Sequence, residues 1–275
     1  MSDHSFMAAV VTASPAPLAV VQSACEPLIS FITVAYGTGP IIVDSLASLV
    51  AALADTELTW EYIVVDNRNP AAPDRTWNEL RLSTHGVFVV RADANLGFGG
   101  GCELGALQAR GEILAFVNPD TFFAAGWIEP LLAQLDDPTT SIAAPVLLDP
   151  DGTLQEAGQQ LFADGTTQPC MTMPETGTVR RHDYASAACW LIRRDEHERV
   201  GGFDPAYSPA YFEDVDLGRR AAALGGGCVV VADARVIHRR GSSTTDTSLP
   251  DLTSQLETLL SRWPEIRWTQ AKASV

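Results

Sequence analysis

Short apolar runs alternate with amphipathic stretches along the first half of the chain. The runs occupy Ile29–Ala35, 62–65, 87–90 and Ile113–Val117. Continuous apolar runs of this length are typical of strands buried on both faces of a parallel sheet. Each run is therefore predicted to form a strand.

Apolar residues at helical spacing separate these strands. They predict helices at 41–54, 76–83 and 100–110, with Gly111 ending the last helix as a C′ glycine. A strand–helix alternation at this rhythm predicts an α/β fold, in which a mostly parallel sheet carries helices on both faces.

The second half of the chain has a more mixed pattern. An Asp-Gly pair at 151–152 predicts a hairpin turn, residues 152–182 have the composition of a loop, and glycines at 201–202 and 225–227 end two helices. The other predicted elements are helices at 127–135, 195–200 and 213–224 and strands at Ile142–Leu148, 184–192, 228–231 and 235–238.

The two ends of the chain differ from the middle. Residues 1–27 are predicted to be a loose arm with one short strand at 18–21, and residues 28–243 the main domain. Residues 244–275 are predicted to be an amphipathic helix, with an apolar face over 249–263, and a tail. In that helix Ser248 is the expected N-cap and Pro250 lies in the first turn. Its apolar face either packs on the domain, the more common case, or forms a homodimer contact.

Charge excludes two classes of partner. Among the 275 residues, 34 acidic side chains face 18 basic ones, which gives a net charge of −16. Nucleic-acid binders and polybasic membrane anchors need basic surfaces, so neither is expected.

The cysteines and apolar runs indicate the compartment. The five cysteines are widely spaced without a C-x-x-C pair, which argues against a disulfide framework or zinc ribbon and favours a reducing cytoplasm. No apolar run reaches the roughly 18 residues of a membrane span. The apolar stretch at 6–21 lacks a preceding Lys or Arg and contains Pro15 and Pro17, so a signal peptide is not predicted.

Several common enzyme motifs are missing. The glycines at 97–101 do not form G-x-G-x-x-G, and the chain has no P-loop and no G-x-S-x-G elbow. His197-Glu198 does not continue into H-E-x-x-H.

The remaining candidate chemistry is acidic and lies at the ends of predicted strands. Asp66 and Asn67 follow one strand, and Asn118 and Asp120 follow another, at the edge where parallel sheets bind ligands. Three further acids, Glu213, Asp214 and Asp216, begin a helix, and His238 ends a late strand.

Carboxylate and imidazole groups suit Mg²⁺ or Mn²⁺, which often also bind substrate phosphates. Each group also has an ordinary structural interpretation. Asp120 could cap a turn, the acids at 213–216 oppose a helix dipole, and a lone His238 is commonly structural.

The order of these segments resembles the family 2 inverting glycosyltransferases of the GT-A fold, closest to a rhamnosyltransferase-like branch that builds cell-surface polysaccharides. The resemblance covers about residues 28–243. The matching segments are ITVAY at 32–36, IVVDN at 63–67, NLGFGG at 95–100, NPDT at 118–121, GGFD at 201–204, YFEDVDL at 211–217 and HRRGSS at 238–243.

The resemblance implies a Rossmann-like, mostly parallel central sheet flanked by helices, with a mixed acceptor-side half. It also implies a role for each matching residue. Asp214 would be the catalytic base, Glu213 and Asp216 would shape the acceptor side, and Asp120 and His238 would bind a divalent Mg²⁺ or Mn²⁺. The implied donor-binding residues are Tyr36, Asp66, Asn95, Gly97, Phe98, Gly99, Gly100 and Asn118.

This chemistry agrees with those residue types. A carboxylate can take the proton of an acceptor hydroxyl as it attacks the anomeric carbon. A divalent metal stabilises the charge of the departing diphosphate. Asp214, at a helix N-terminus, is expected to stay ionised at neutral pH.

The sequence departs from the family pattern at four places. Gly37 stands where Asn is common, and residues 67–70 lack the usual Ser or Thr and second Asp. Cys102-Glu103 follow the glycines, and Asn118 replaces the first acid of the metal motif, leaving Asp120 as its carboxylate.

The predicted function is a cytoplasmic, metal-dependent, inverting hexosyltransferase that meets any lipid-linked acceptor at the inner membrane face. The first candidate donor is dTDP-rhamnose, and the acceptor is a glycan, a lipid-linked molecule or a small molecule. One alternative is a catalytically degenerate GT-A domain that binds a nucleotide sugar or a partner. Another is a nucleotidyltransferase, which the absence of Lys or Arg at 36–40 disfavours.

Overall fold

The computed structural model describes residues 26–36, 38–68, 87–240 and 252–267. Several predicted features lie outside these ranges: most of the arm at 1–27, the helix at 76–83, and the cap residues Ser248 and Pro250.

The described ranges contain twelve strands and six α-helices. The strands are β1 (Ile29–Ala35), β2 (Trp60–Asp66), β3 (Val87–Arg91), β4 (Ile113–Val117), β5 (Thr121–Phe122), β6 (Ile142–Leu148), β7 (Leu154–Glu156), β8 (Gln159–Leu161), β9 (Thr167–Pro169), β10 (Val179–His182), β11 (Cys189–Arg193) and β12 (Cys228–His238). The helices are α1 (Ile41–Leu53), α2 (Gly97–Gln108), α3 (Glu129–Leu135), α4 (Arg194–Val200), α5 (Glu213–Ala223) and α6 (Thr253–Arg262).

Ten of the strands form one central sheet, whose main path runs β10-β12-β6-β11-β4-β1-β2-β3. Strands β4, β1, β2 and β3 pair in parallel, as do β6 and β12, whereas β11 runs antiparallel between β4 and β6. Strands β8 and β9 form a separate hairpin. The predicted α/β architecture with a mostly parallel sheet is confirmed.

The strands are apolar along their whole length because both faces of the sheet are covered. Alternate residues of β1 show this: Phe31 packs in the cluster beneath α1 and α3, while Ile32 and Val34 pack in the cluster beneath α2 and α5. Burial of each side chain of this size stabilises the folded state by about 1.5–3 kcal/mol. The core therefore consists of two layers, one on each face of the sheet.

The second half is more regular than its sequence predicts. Residues 152–182 contain four short strands instead of a loop, and the predicted strands at 228–231 and 235–238 form one strand with an irregular register between Val231 and Arg235. The strand predicted at 184–192 begins only at Cys189. The Asp-Gly hairpin turn is confirmed, since β6 and β7 pair across it.

Helix α2 and the glycine after it differ from the prediction. The helix begins at Gly97 instead of residue 100 and ends at Gln108, with Ala109 as its C-cap. Gly111 is not a C′ glycine: a Cβ there would lie 2.6 Å from the backbone nitrogen of Ser30. Close approach of two backbone segments, instead of helix termination, explains this glycine.

Helix α6 begins at Thr253 with Leu252 at the N-cap, a few residues after the predicted start. No helix in the described ranges is long and apolar enough to cross a membrane.

Candidate active site

Parallel strands bring residues from distant segments to one edge of the sheet. Ala35, Asp66 and Arg91 are register partners at the ends of β1, β2 and β3. Asn118 follows β4, and its backbone N–H donates to the Ala188 carbonyl at 2.8 Å. This edge carries the candidate site.

Asn67 connects the end of β2 to the start of α2. Its side-chain oxygen accepts from the Leu96 N–H at 2.8 Å, and its amide nitrogen donates to the Asn95 side chain and the Gly97 carbonyl, each at 3.0 Å. Asn95 in turn accepts from the Gly97 N–H at 2.9 Å. Asn67, a departure from the family pattern, therefore has a structural role that the sequence analysis missed.

The glycines at 97–105 allow close packing of α2. Gly97 has φ +76°, and a Cβ there would lie 2.5 Å from the Pro209 carbonyl oxygen. A Cβ at Gly101 would lie 2.7 Å from Val34, and one at Gly105 would overlap Ile32 of β1. Gly97, Gly99 and Gly100, which the sequence analysis assigned to a donor-binding loop, form the first turn of this helix. Their contact with a donor stays a prediction.

The other predicted donor residues occupy different surroundings. Tyr36 is exposed after β1, and Asn95 is also exposed. Asp66 is buried, with the Arg91 Nε 3.6 Å from its carboxylate. Phe98 is half-buried and stacks edge to face on Phe203. Their contact with a donor stays a prediction.

The structure brings Asp120 and His238 together. The residues are far apart in the chain, but β12 pairs with β5 so that His238 faces Thr121. The His238 Nε2 lies 3.4 Å from the Asp120 Oδ1 and 3.3 Å from the Asn118 amide nitrogen. Asp120 is 2% exposed, and its Oδ1 has no hydrogen-bond partner among the described residues.

Asp120 and His238 are side chains of the types that bind divalent metal ions. No group of three or more His, Cys, Asp or Glu side chains in the described ranges is arranged to hold one. A buried carboxylate oxygen without a hydrogen-bond donor, next to an imidazole nitrogen, nevertheless fits a hard divalent cation that completes its shell with phosphate oxygens.

Two further residues at this site were missed by the sequence analysis. Gln155 of β7 contacts His238, and Glu156 interacts electrostatically with both Asp214 and His238. Burial raises the pKa of Glu156. No local pattern relates Gln155 to a histidine 83 positions later, because the hairpin after β6 brings them together.

Asp214 lies beside the same edge. Its carboxylate accepts from the Val215 N–H at 2.8 Å and from the backbone of Ala187, the neighbour of Ala188. Burial raises the pKa of Asp214 to about 6, and these hydrogen bonds oppose the rise. The side chain therefore remains mainly ionised at neutral pH, although desolvation outweighs the stabilisation expected from the helix N-terminus.

Glu213 is the buried neighbour of Asp214. Burial and the Asp214 charge raise the pKa of Glu213 well above its usual value, and its Oε2 has no hydrogen-bond partner among the described residues. Tyr211 and Phe212, just before α5, both have positive φ, at 80° and 69°. This sharp turn presents the two acids, at a cost in backbone energy.

Asp216 is fully buried. Its Oδ1 accepts from Tyr207 and Trp263, and its Oδ2 accepts from Arg220 and Arg262. Four donors occupy the carboxylate, so Asp216 connects α5 to α6. Its predicted role on the acceptor side stays a prediction.

The family of the chain follows from comparison with known proteins. The family model of Glycosyl transferase family 2 matches residues 30–201, which is more than half of the chain. The chain belongs to this glycosyltransferase family. The fold agrees, since its solved relatives are GT-A glycosyltransferases.

Two sequence relatives are named for rhamnosyl transfer and for O-antigen biosynthesis. An N-acetylglucosaminyl-diphospho-decaprenol L-rhamnosyltransferase of Mycobacterium tuberculosis is 29% identical over 245 residues, covering 78% of this chain and 76% of the relative. The O-antigen biosynthesis protein RfbC of Myxococcus xanthus is 32% identical over 157 residues, covering 53% of this chain and 12% of the relative. The chain therefore spans only a small part of RfbC.

One solved structure illustrates the shared fold. GalNAc-T7, crystallised with UDP, GalNAc and Mn²⁺, superposes with a TM-score of 0.63 at 16% identity, over 80% of this chain and 45% of that one.

Proposed function

We propose that this chain is an inverting, metal-dependent hexosyltransferase that takes a sugar from a nucleoside diphosphate. The observation that carries the proposal is the convergence of Asp120, His238 and Asp214 on one sheet edge, through the adjacent residues Ala187 and Ala188. The two kinds of group that this reaction needs, a cation site and a base, lie on neighbouring segments.

The donor is proposed to lie across the ends of β1 and β2. Tyr36 and Asp66 would contact the base, and Asn95, Gly100 and Asn118 the diphosphate and sugar. The name of the mycobacterial relative supports rhamnose as the transferred sugar and a lipid-linked acceptor as the first partner. We propose dTDP-rhamnose as the first donor. We place the protein in the cytoplasm, with this acceptor reached at the inner membrane face.

Asp120 and His238 would hold a divalent cation. When bound, the cation would neutralise charge on the leaving diphosphate. GalNAc-T7, which shares the fold, was crystallised with UDP and Mn²⁺, and this supports a divalent cation in the proposed reaction.

Asp214 is proposed to remove the proton of the acceptor hydroxyl. The hydroxyl oxygen forms a bond to the anomeric carbon as the bond from that carbon to the diphosphate oxygen breaks. The electron pair leaves with the diphosphate, the proton stays on Asp214, and a single displacement inverts the anomeric configuration.

The first experiment is a thermal-shift panel with dTDP, UDP and GDP and their sugars, each with Mn²⁺, Mg²⁺ or EDTA. A bound ligand raises the Tm by mass action. We expect the largest shift with dTDP or dTDP-rhamnose and a divalent metal, and its loss in EDTA.

The same samples, given a polyprenyl-diphosphate-linked N-acetylglucosamine acceptor, are then assayed for dTDP release. Binding without release would favour the degenerate, nucleotide-sugar-binding alternative. No shift with any nucleotide would contradict the proposed donor class.

A further inference from the structure

Gln155 has a fixed side-chain orientation. Its amide nitrogen donates to the Asp149 carboxylate at 2.8 Å and to the His238 backbone carbonyl at 2.9 Å. Both partners can only accept hydrogen bonds, so the NH₂ group must face them. The Gln155 oxygen therefore faces the ring of His238, with its Oε1 2.8 Å from the Nδ1.

This orientation determines which ring nitrogen carries the proton. An amide oxygen only accepts hydrogen bonds, so the His238 Nδ1 must be the donor. In a neutral imidazole with a proton on Nδ1, the Nε2 carries a lone pair. The Asn118 amide nitrogen lies 3.3 Å from this Nε2 and donates to its lone pair when no cation is bound. A bound cation would replace this hydrogen bond.

The lone pair faces a second electron-rich atom. The Asp120 Oδ1 lies 3.4 Å from the Nε2 and has no hydrogen-bond donor among the described residues. Two acceptors at this distance repel each other unless a positive charge lies between them. A divalent cation bound by both atoms supplies that charge.

We propose that Gln155 is a positioning residue that holds His238 in its Nδ1–H form and so keeps Nε2 available to a divalent cation beside Asp120. Gln155 is 3% exposed. The Asp149 Oδ1, which accepts from Gln155, also lies 3.5 Å from the Arg240 Nη2, and this ion pair helps to hold the carboxylate in place. The cation part of this inference rests on the proposed function, whereas the tautomer part does not.

The first test is the tautomer of the metal-free wild type. Long-range ¹H–¹⁵N spectra of protein labelled at histidine, assigned with His238→Gln, distinguish the two neutral tautomers and the imidazolium. At about pH 8 we expect the Nδ1–H form. The Nε2–H form or an imidazolium would overturn the proposal, and this measurement needs no Gln155 variant to fold.

The second test uses Gln155→Met, which keeps the side-chain length but removes the acceptor. We expect it to populate the Nε2–H form and to weaken Mn²⁺ binding in the presence of dTDP by about 10–100-fold, as measured by calorimetry. Gln168→Met, at an exposed position of β9, is the matched control and should leave both readouts unchanged.

An unchanged tautomer and an unchanged Mn²⁺ affinity in Gln155→Met would overturn the proposal. If the wild type binds no Mn²⁺ with any nucleotide, the proposed metal dependence and the cation part fail, and the tautomer spectra still decide the role of Gln155.

Discussion

Asp214, the proposed base, lies at a position that lowers the stability of the fold at neutral pH. Its carboxylate is partly desolvated, which raises its pKa to about 6, and two backbone N–H groups stabilise the ionised form. An acid whose folded-state pKa lies above its unfolded value destabilises the fold increasingly as pH rises from about 4 to about 6. The position is therefore costly for folding at neutral pH, which is typical of functional groups.

Asp214→Asn is expected to lower kcat for transfer by about 10²–10⁴-fold, because the base is lost. The apparent Kd for dTDP with Mn²⁺ should change little, and the Tm should rise because a desolvated charge is removed. Initial-rate kinetics and thermal melts check these results, with exposed Asp195→Asn as the control. Turnover at the wild-type rate would contradict the base assignment.

The pH profile provides a second test at this scale. Because the base must be ionised, kcat/KM should rise with pH through about 6 and level off above it. Initial rates between about pH 5 and pH 8 in buffers of constant ionic strength measure this limb. A kcat/KM that does not change over this pH range would show that the group acting as the base has a different pKa.

At the scale of elements, α2 shows why a glycine-rich segment folds as a helix here. Glycine is unfavourable in helices, by about 1 kcal/mol relative to alanine. Gly101 and Gly105 nevertheless occupy the face of α2 against β1, where Val34 and Ile32 leave no room for a Cβ. Close helix–sheet packing offsets the intrinsic cost and fixes the start of α2 beside Asn67.

Gly105→Ala is expected to destabilise the fold by about 1–3 kcal/mol, because its Cβ would overlap Ile32 and contact Val65. Gly39→Ala is the control, since a Cβ there meets no atom within 4 Å. Urea denaturation measures both. Equal midpoints for the two variants would show that α2 is not packed this closely.

The sequence identified the strands on either side of α2 better than α2 itself. Strands such as β1 and β4 were predicted at their observed bounds, because burial on both faces requires an unbroken apolar run. The start of α2 was missed because glycine signals a loop locally, and only the opposing side chains of β1 show why glycine is needed.

At the scale of the whole molecule, α6 is joined to the domain through a buried carboxylate. Asp216 accepts hydrogen bonds from Arg262 and Trp263 of the C-terminal segment, and Leu259 is buried beside Tyr207. Of the two interpretations of the apolar helix face, packing on the domain is the one that these contacts support. The helix therefore stabilises α5, which carries Glu213 and Asp214.

Arg262→Ala is expected to destabilise the protein by about 1.5–3 kcal/mol, the usual contribution of a hydrogen bond to a charged group. It should also lower kcat, because α5 loses a support. Chemical denaturation and initial rates check this, with exposed Arg180→Ala as the control. A midpoint equal to that of Arg180→Ala would mean that α6 does not stabilise the domain.

The sequence by itself determined the architecture and most of the candidate groups. Hydrophobic periodicity sets which segments can be buried, and the order of the motifs predicted the GT-A sheet and the positions of Asp66, Asp120 and Asp214. These features are local, because a strand end and the polar residue after it are neighbours in the chain.

Only the tertiary structure decided how these groups act. It placed His238 against Asp120 through the pairing of β12 with β5, brought Gln155 to the Nδ1 of the imidazole, and joined Asp216 to α6. Hydrogen-bond partners and desolvation depend on residues far apart in the chain, so no local pattern encodes them. The chemistry of each carboxylate is therefore a property of the fold.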